Sequence, residues 1–158
     1  MKRKTGIIIS AIAVTGLLVT GAIIFILNNQ GPKKPFRLDD EYYAKSKAIT
    51  IKKDEYEKLI EDKKTFLIMI DKPGCVMTAD MMGFMADFPD DMQFKYYRML
   101  WEDVAQSSLH EYVKFTPSMA VVYEGKVIDW LQADKDEDAD YFNNADALQS
   151  WIREYIAF

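Results

Sequence analysis

Phe66-Leu67-Ile68-Met69-Ile70-Asp71-Lys72-Pro73-Gly74-Cys75-Val76-Met77-Thr78 reads as a buried strand, a turn and the start of a helix. Phe66 to Ile70 is a continuous apolar run of strand length, and Pro73-Gly74 breaks it. Met77, Met81, Met82, Phe84, Met85 and Phe88 follow at helical spacing until Pro89 stops the helix. Cys75, at the start of that helix, is the only cysteine in the chain. Forty-two positions after it comes Pro117, within Phe115-Thr116-Pro117-Ser118. Met119 to Tyr123 and Lys126 to Trp130 then flank Glu124-Gly125, which is a hairpin signal.

Outward from these two stretches, Ala48-Ile49-Thr50-Ile51 reads as a short strand. Lys53 to Lys63 reads as a helix with Tyr56, Leu59 and Ile60 at helical spacing. Met92 to Met99 alternates loosely, as a strand does, and Gln106 to Tyr112 is expected to be a short helix. Asp134 to Asn144 reads as a polar, acidic loop. Ala145 to Ile156 closes the pattern as a helix with Leu148, Trp151, Ile152 and Tyr155 on one face. Strands alternate with helices early and a hairpin comes late, so the expected architecture is α/β, a mixed sheet covered by helices.

The chain has 158 residues, which fits one domain of ordinary size. Its N-terminus reads differently from the rest. Met1-Lys2-Arg3-Lys4 is basic, and Gly6 to Leu27 holds no charged residue and no proline. At about 1.5 Å per residue that stretch covers roughly 33 Å, enough for a bilayer core of about 30 Å. Thr20-Gly21-Ala22 could serve as a signal cleavage site, but the apolar run continues through Leu27, so an uncleaved anchor is expected. The basic residues before the span predict a cytoplasmic N-terminus and an extracytoplasmic remainder, at the cell membrane. The expected organisation is an anchor over 1–28, a stalk over 29–42 containing Gly31-Pro32-Lys33-Lys34-Pro35, and a folded domain over 43–158.

Setting aside Lys2, Arg3 and Lys4 leaves 17 basic against 25 acidic side chains, a formal charge of −8. So acidic a domain is a poor partner for nucleic acid or anionic headgroups. One cysteine permits no internal disulfide. In a compartment where disulfides persist, an odd thiol points to reactivity or to intermolecular pairing.

The order of elements and the two local motifs resemble the thioredoxin superfamily over about Ala48 to Ile156. Phe66 to Met85 and Phe115 to Ile128 carry the likeness. Within it the chain looks most similar to membrane-anchored thioredoxin-like proteins of Gram-positive bacteria, some described as bacteriocin-transport accessory proteins. The resemblance implies that Cys75 stands where the nucleophilic cysteine lies. It implies too that Pro117 is the cis-proline and that the Thr116 backbone faces the thiol and the substrate chain. Gly74, Val76 and Met77 would border the same substrate groove. The family pattern is broken at three places: Thr78 replaces the resolving cysteine, Gly74 replaces a tryptophan, and Met69 occupies the buried-acid position.

A sulfur at a helix start faces unpaired N–H groups and the positive end of the helix dipole, and both favour thiolate. Thr78, three residues on, is expected to aim its hydroxyl at that sulfur. A thiolate attacks a disulfide to give a mixed disulfide. With no second cysteine, release would need an external thiol. The expected function is therefore single-cysteine exchange with, or capture of, exported or cell-surface proteins, without a cofactor. The alternative is a redox-inactive adaptor that uses the same groove.

Other patterns point less far. Cys75-x-x-Thr78 resembles the active-site turn of glutathione peroxidases, but that family's downstream Asn-Gln and Trp-Asn segments are missing. Met77, Met81 and Met85 recur every four residues beside Cys75, which invites a Cu(I) reading, yet helical spacing explains them as core. Asp134, Asp136, Asp138 and Asp140 alternate like the opening of a calcium loop, but Ala139 and Ala145 occupy its glycine and glutamate positions. No metal site is expected. His110 stands alone, and Trp101, Trp130 and Trp151 read as packing residues.

Overall fold

The computed structural model describes residues 32–158. In chain order the strands and helices are β1 (Lys47–Thr50), α1 (Lys53–Glu61), β2 (Phe66–Asp71), α2 (Val76–Ala86), β3 (Lys95–Leu100), α3 (Trp101–Val104), β4 (Ser118–Tyr123), β5 (Lys126–Gln132), α4 (Ala139–Asn143) and α5 (Ala145–Tyr155). The strands form one sheet in the order β1-β3-β2-β4-β5. Strands β1, β3 and β2 run parallel, while β4 lies antiparallel to both β2 and β5.

Strand β2 is central, and all six of its residues are buried. Its unbroken apolar run follows from that position, because a strand covered on both faces has no solvent side to show as alternation. Phe66 meets Tyr56 of α1 and Tyr97 of β3 edge-on, with ring centroids 6.3 and 5.2 Å apart. Ile68 and Ile70 share that face by the two-residue period, and Leu67, Met69 and Asp71 share the other. Helix α2 packs with α4 and α5, burying Met81 and Met85 completely. Helix α5 buries Leu148, Trp151, Ile152 and Tyr155, and Asn144 caps it by accepting from the backbone N–H of Asp146 at 3.0 Å.

Several local expectations change. The segment read as an acidic loop contains a 3-10 turn, Asp136–Asp138, and the short helix α4, whose Phe142 is buried against the core. The helix expected over Gln106 to Tyr112 is only a 3-10 turn, Ser108–Glu111, and α3 precedes it. Met92 belongs to another 3-10 turn, Asp90–Met92, so β3 starts later than its alternation suggested.

The expected stalk over 29–42 extends into the folded body. Phe36 and Leu38 are buried, and Tyr42 lies in a 3-10 turn with 3% exposure. The Phe36 N–H donates to the Tyr155 carbonyl, and Ala157 N–H donates to the Phe36 carbonyl, both at 2.8 Å. The Tyr43 hydroxyl donates to the Ala157 carbonyl at 2.6 Å and accepts from Leu38 N–H at 2.9 Å. The Gly/Pro punctuation that suggested a linker ends at Pro35, and the alternating Phe36 and Leu38 behind it are an edge segment paired to the C-terminus. The anchor expected over 1–28 lies outside the described residues. Among those described, no helix is long and apolar enough to cross a membrane.

The β4–β5 hairpin closes through Glu124 and Gly125 with φ of 47° and 74°, the two positive values of a type I′ turn. A Cβ on Gly125 would stand 2.3 Å from the Ile60 carbonyl oxygen, which is backbone. Gly125→Ala is therefore expected to cost about 2 kcal/mol or more, read as a lower urea midpoint at unchanged slope. An unchanged midpoint would contradict the close packing of this turn on α1. Burial also holds the Tyr56 phenol well above its usual 10.0 and pushes Tyr96 up to about 12. A phenol with a raised folded pKa stabilises the fold fully below about pH 10, and that stabilisation is lost as pH rises through the folded values. Urea midpoints should hold level to about pH 9 and fall above pH 10; a rise there would refute the burial of these hydroxyls.

Candidate functional site

The C-terminal end of β2 delivers the chain to the site. Lys72 and Pro73 leave the sheet and Gly74 turns with φ of 81°, a conformation that glycine adopts without steric cost. Cys75 N–H donates to the Lys72 carbonyl at 3.1 Å. Cys75 is then the N-cap of α2, with extended backbone at φ −75° and ψ 116°. Its carbonyl accepts from Ala79 N–H at 3.3 Å, the first bond of the helix. The thiol is half-buried and Val76 beside it is 74% exposed. Cys75 is thus less enclosed than Met81 and Met85 further along α2, which are fully buried.

Strand β4 brings the second motif to the same end of the sheet. Ser118 pairs with Ile70 in antiparallel register, so the residues just before it run beside the loop that carries Cys75. The Thr116–Pro117 peptide bond is cis, with Pro117 buried and Thr116 half-buried. A hydrogen-bonded frame holds this loop. The Pro117 carbonyl accepts from Ala133 N–H at 3.2 Å, and the Phe115 carbonyl from the Ser118 hydroxyl at 2.7 Å. Lys114 N–H donates to the Gln132 side-chain oxygen at 2.7 Å, and Asp138 accepts from Gln132 N–H at 2.9 Å. One member of the acidic series thus serves as a buried brace.

Thr78 departs from expectation. It is 3% exposed, and its hydroxyl oxygen is buried with no hydrogen-bond partner, the Cys75 sulfur included. Thr78 shares the buried side of α2 with Met81 and Met85, three and seven positions on, while Cys75 is the N-cap with extended rather than helical backbone, so three-residue spacing does not align the two side chains. Any help from this hydroxyl to a thiolate needs a side-chain or sulfur movement.

A carboxylate missed by the sequence reading lies close by. The resemblance had placed a buried acid at position 69, where methionine stands. Asp71, two residues further on the same face of β2, is 2% exposed. Arg98 of β3 donates to its Oδ2 through Nε at 3.0 Å and also through Nη2, an ion pair in which both donors converge on one oxygen. Asp71 Oδ1 is buried and has no partner. The available signal was an acid ending an apolar run, with an arginine inside the neighbouring strand; register was needed to join them.

Cys75, Thr78, Asp71, Arg98, Lys72, Gly74, Val76, Ala79 and Met82 line one open cleft of about 310 Å³. Of the residues the sequence nominated, Gly74, Cys75, Val76 and Thr78 meet there. Met77, Thr116 and Pro117 do not border it. Since β3 and β4 flank β2 on opposite sides, the charged cleft lies on the β3 side of the thiol and the Thr116–Pro117 loop on the β4 side. Among the described residues no group of three or more histidine, cysteine or acidic side chains is arranged to hold a metal ion.

No protein-family model and no curated protein matches the chain. Solved structures do. Oxidised thioredoxin from Plasmodium falciparum superimposes with a TM-score of 0.51 at 16% identity, over 71% of this chain and 99% of that one. Thioredoxin from Schistosoma mansoni gives a TM-score of 0.47 at 14% identity, over 70% and 96% respectively. At such identities the likeness is one of fold. The five-stranded mixed sheet flanked by helices is a thioredoxin-like fold.

Proposed function

We propose that the chain is a membrane-anchored, extracytoplasmic thiol protein in which Cys75 exchanges disulfides with, or captures, exported protein substrates. One observation carries this reading: a half-buried cysteine is the N-cap residue of an eleven-residue helix at the end of the sheet that also carries the cis Thr116–Pro117 loop. The helix end offers unpaired N–H groups and positive dipole potential to a thiolate. The Cys75 thiolate attacks one sulfur of a substrate disulfide, a new S–S bond forms to Cys75, and the other substrate sulfur leaves as thiolate. Thr116 and Pro117 present the substrate backbone, with Gly74, Val76 and Met77 on the opposite lip. Since no second cysteine exists to break the adduct, an external thiol completes the cycle or the adduct persists.

The exposure of Val76 (74%) and Phe115 (46%), one beside each motif, also favours the second reading, an adaptor that docks an apolar segment without redox chemistry. Acid quenching and alkylation of cells carrying the native chain or Cys75→Ser separates the two. Covalent conjugates present with the native chain and lost with the serine are the expected result. Conjugates absent from both leave the adaptor. Residues 6–27 supply the anchor in this reading, so external protease on intact cells should remove a C-terminal tag. A tag that survives until the cells are lysed would overturn the orientation.

A further inference from the structure

Two residues of the cleft on the β3 side of Cys75 carry polar atoms that the fold leaves unpaired. Asp71 and Thr78, which line this cleft together with Cys75, are each more than nine-tenths buried, and each has a side-chain oxygen without a hydrogen-bond partner. Leaving two buried polar atoms unpaired costs about 1–3 kcal/mol apiece, so their coincidence in one cleft points to a ligand. The charges say what kind. Lys72 and Arg98 bring two formal positive charges and Asp71 one negative, leaving an excess of +1. Arg98 spends two of its five N–H donors on Asp71 Oδ2, and its side chain is 28% exposed. Guanidinium with donors to spare suits a carboxylate. Asp71 Oδ1, an acceptor without a donor, suits an adjacent ammonium or amide N–H. At about 310 Å³ the space is at the small end of ligand pockets, too small for a folded partner.

We propose that this cleft binds a small amino-acid thiol, a molecule with a carboxylate, a neighbouring N–H donor and a sulfhydryl, and that this is the external thiol that discharges Cys75. The inference rests on the thiol-exchange reading above. Its carboxylate pairs with Arg98 and Lys72, its nitrogen with Asp71 Oδ1, and its sulfur comes to Cys75 from the β3 side. The protein substrate occupies the β4 side. Exchange at sulfur proceeds with the attacking and leaving sulfurs in line, so the two subsites stand where the reaction needs them. The small thiolate attacks Cys75 Sγ, the S–S bond to the substrate breaks, and the substrate leaves as thiolate. A second small thiolate attacks the new mixed disulfide, giving the small disulfide and the free Cys75 thiolate. The electron pair released from each broken S–S bond stays on the departing sulfur, and the two small thiols are the net reductant.

The test uses the full chain with Cys75 converted to its methyl disulfide by methyl methanethiosulfonate. Cysteine or cysteamine, which differ by the carboxylate, is added and the Cys75 adducts are followed by intact mass. Rates are taken per thiolate and divided by those for a short unstructured peptide carrying the same methyl disulfide. Cysteine should exceed cysteamine by about tenfold on that scale, the factor that 1.4 kcal/mol supplies. Lys72→Gln should shrink the preference, and the charge-neutral double variant Asp71→Asn with Arg98→Gln should remove it. The double variant leaves no lone buried charge, and a matched urea midpoint checks its fold. Equal normalised rates for the two thiols in the native chain would overturn the cleft assignment while leaving Cys75 exchange standing. A preference that survives the folded double variant would overturn it too. If Cys75 takes no methyl disulfide at all, the exchange reading and this inference fall together.

Discussion

Strand β2 is buried on both faces and hydrogen-bonded along both edges, and the site depends on where such a strand has to end. Six residues with no solvent face commit the chain to the centre of the sheet. From there it can only emerge at the strand's C-terminal end, between a parallel neighbour and an antiparallel one. The turn through Gly74 then starts α2 over the sheet and leaves Cys75 at the rim. The antiparallel neighbour starts at that same end, which is why the Thr116–Pro117 loop arrives beside the thiol. Two motifs far apart in sequence meet because one strand has no other place to go.

The Asp71–Arg98 pair is the one strongly polar feature inside this frame. Withdrawing a carboxylate from water costs several kcal/mol, and a guanidinium partner offsets that cost only when the remaining lone pairs are also satisfied. Here one carboxylate oxygen is not. Apolar residues of similar volume at both 71 and 98 would avoid that cost, so stability alone does not account for the pair. Its position, one strand over from the thiol and bordering the same cleft, gives it a chemical reason instead. The same holds for Thr78, whose hydroxyl lies under the thiol rim without a partner.

At the opposite end of β4 the arrangement is mechanical. Tyr123 ends that strand, and Phe36 stacks on it with ring centroids 4.7 Å apart. Phe36 pairs with Ile156, and the Lys34 ammonium lies 3.6 Å from the Tyr155 ring centroid. Phe36 therefore packs at the opposite end of β4 from the Thr116–Pro117 loop.

Much of this was readable from residue order. The period of Phe66 to Ile70, the Pro73-Gly74 break, the methionine spacing of α2 and the Glu124-Gly125 turn are local signals, and local backbone preference together with apolar periodicity determined those elements. The nominated thiol and proline also came from the chain alone. Features that depend on strand register did not. Asp71 and Arg98 are 27 positions apart and become partners only when β2 and β3 align. Phe36 is recognisable as core only once the C-terminus lies beside it. Thr78 looked like a partner for the sulfur because three-residue spacing aligns side chains within a helix, but Cys75 is the extended N-cap outside that helix and Thr78 is buried. Sequence thus determined most of the central strands and helices and singled out the one thiol at a helix start. Tertiary packing decided which charges surround that atom, because pairing across strands is set by the register of distant segments.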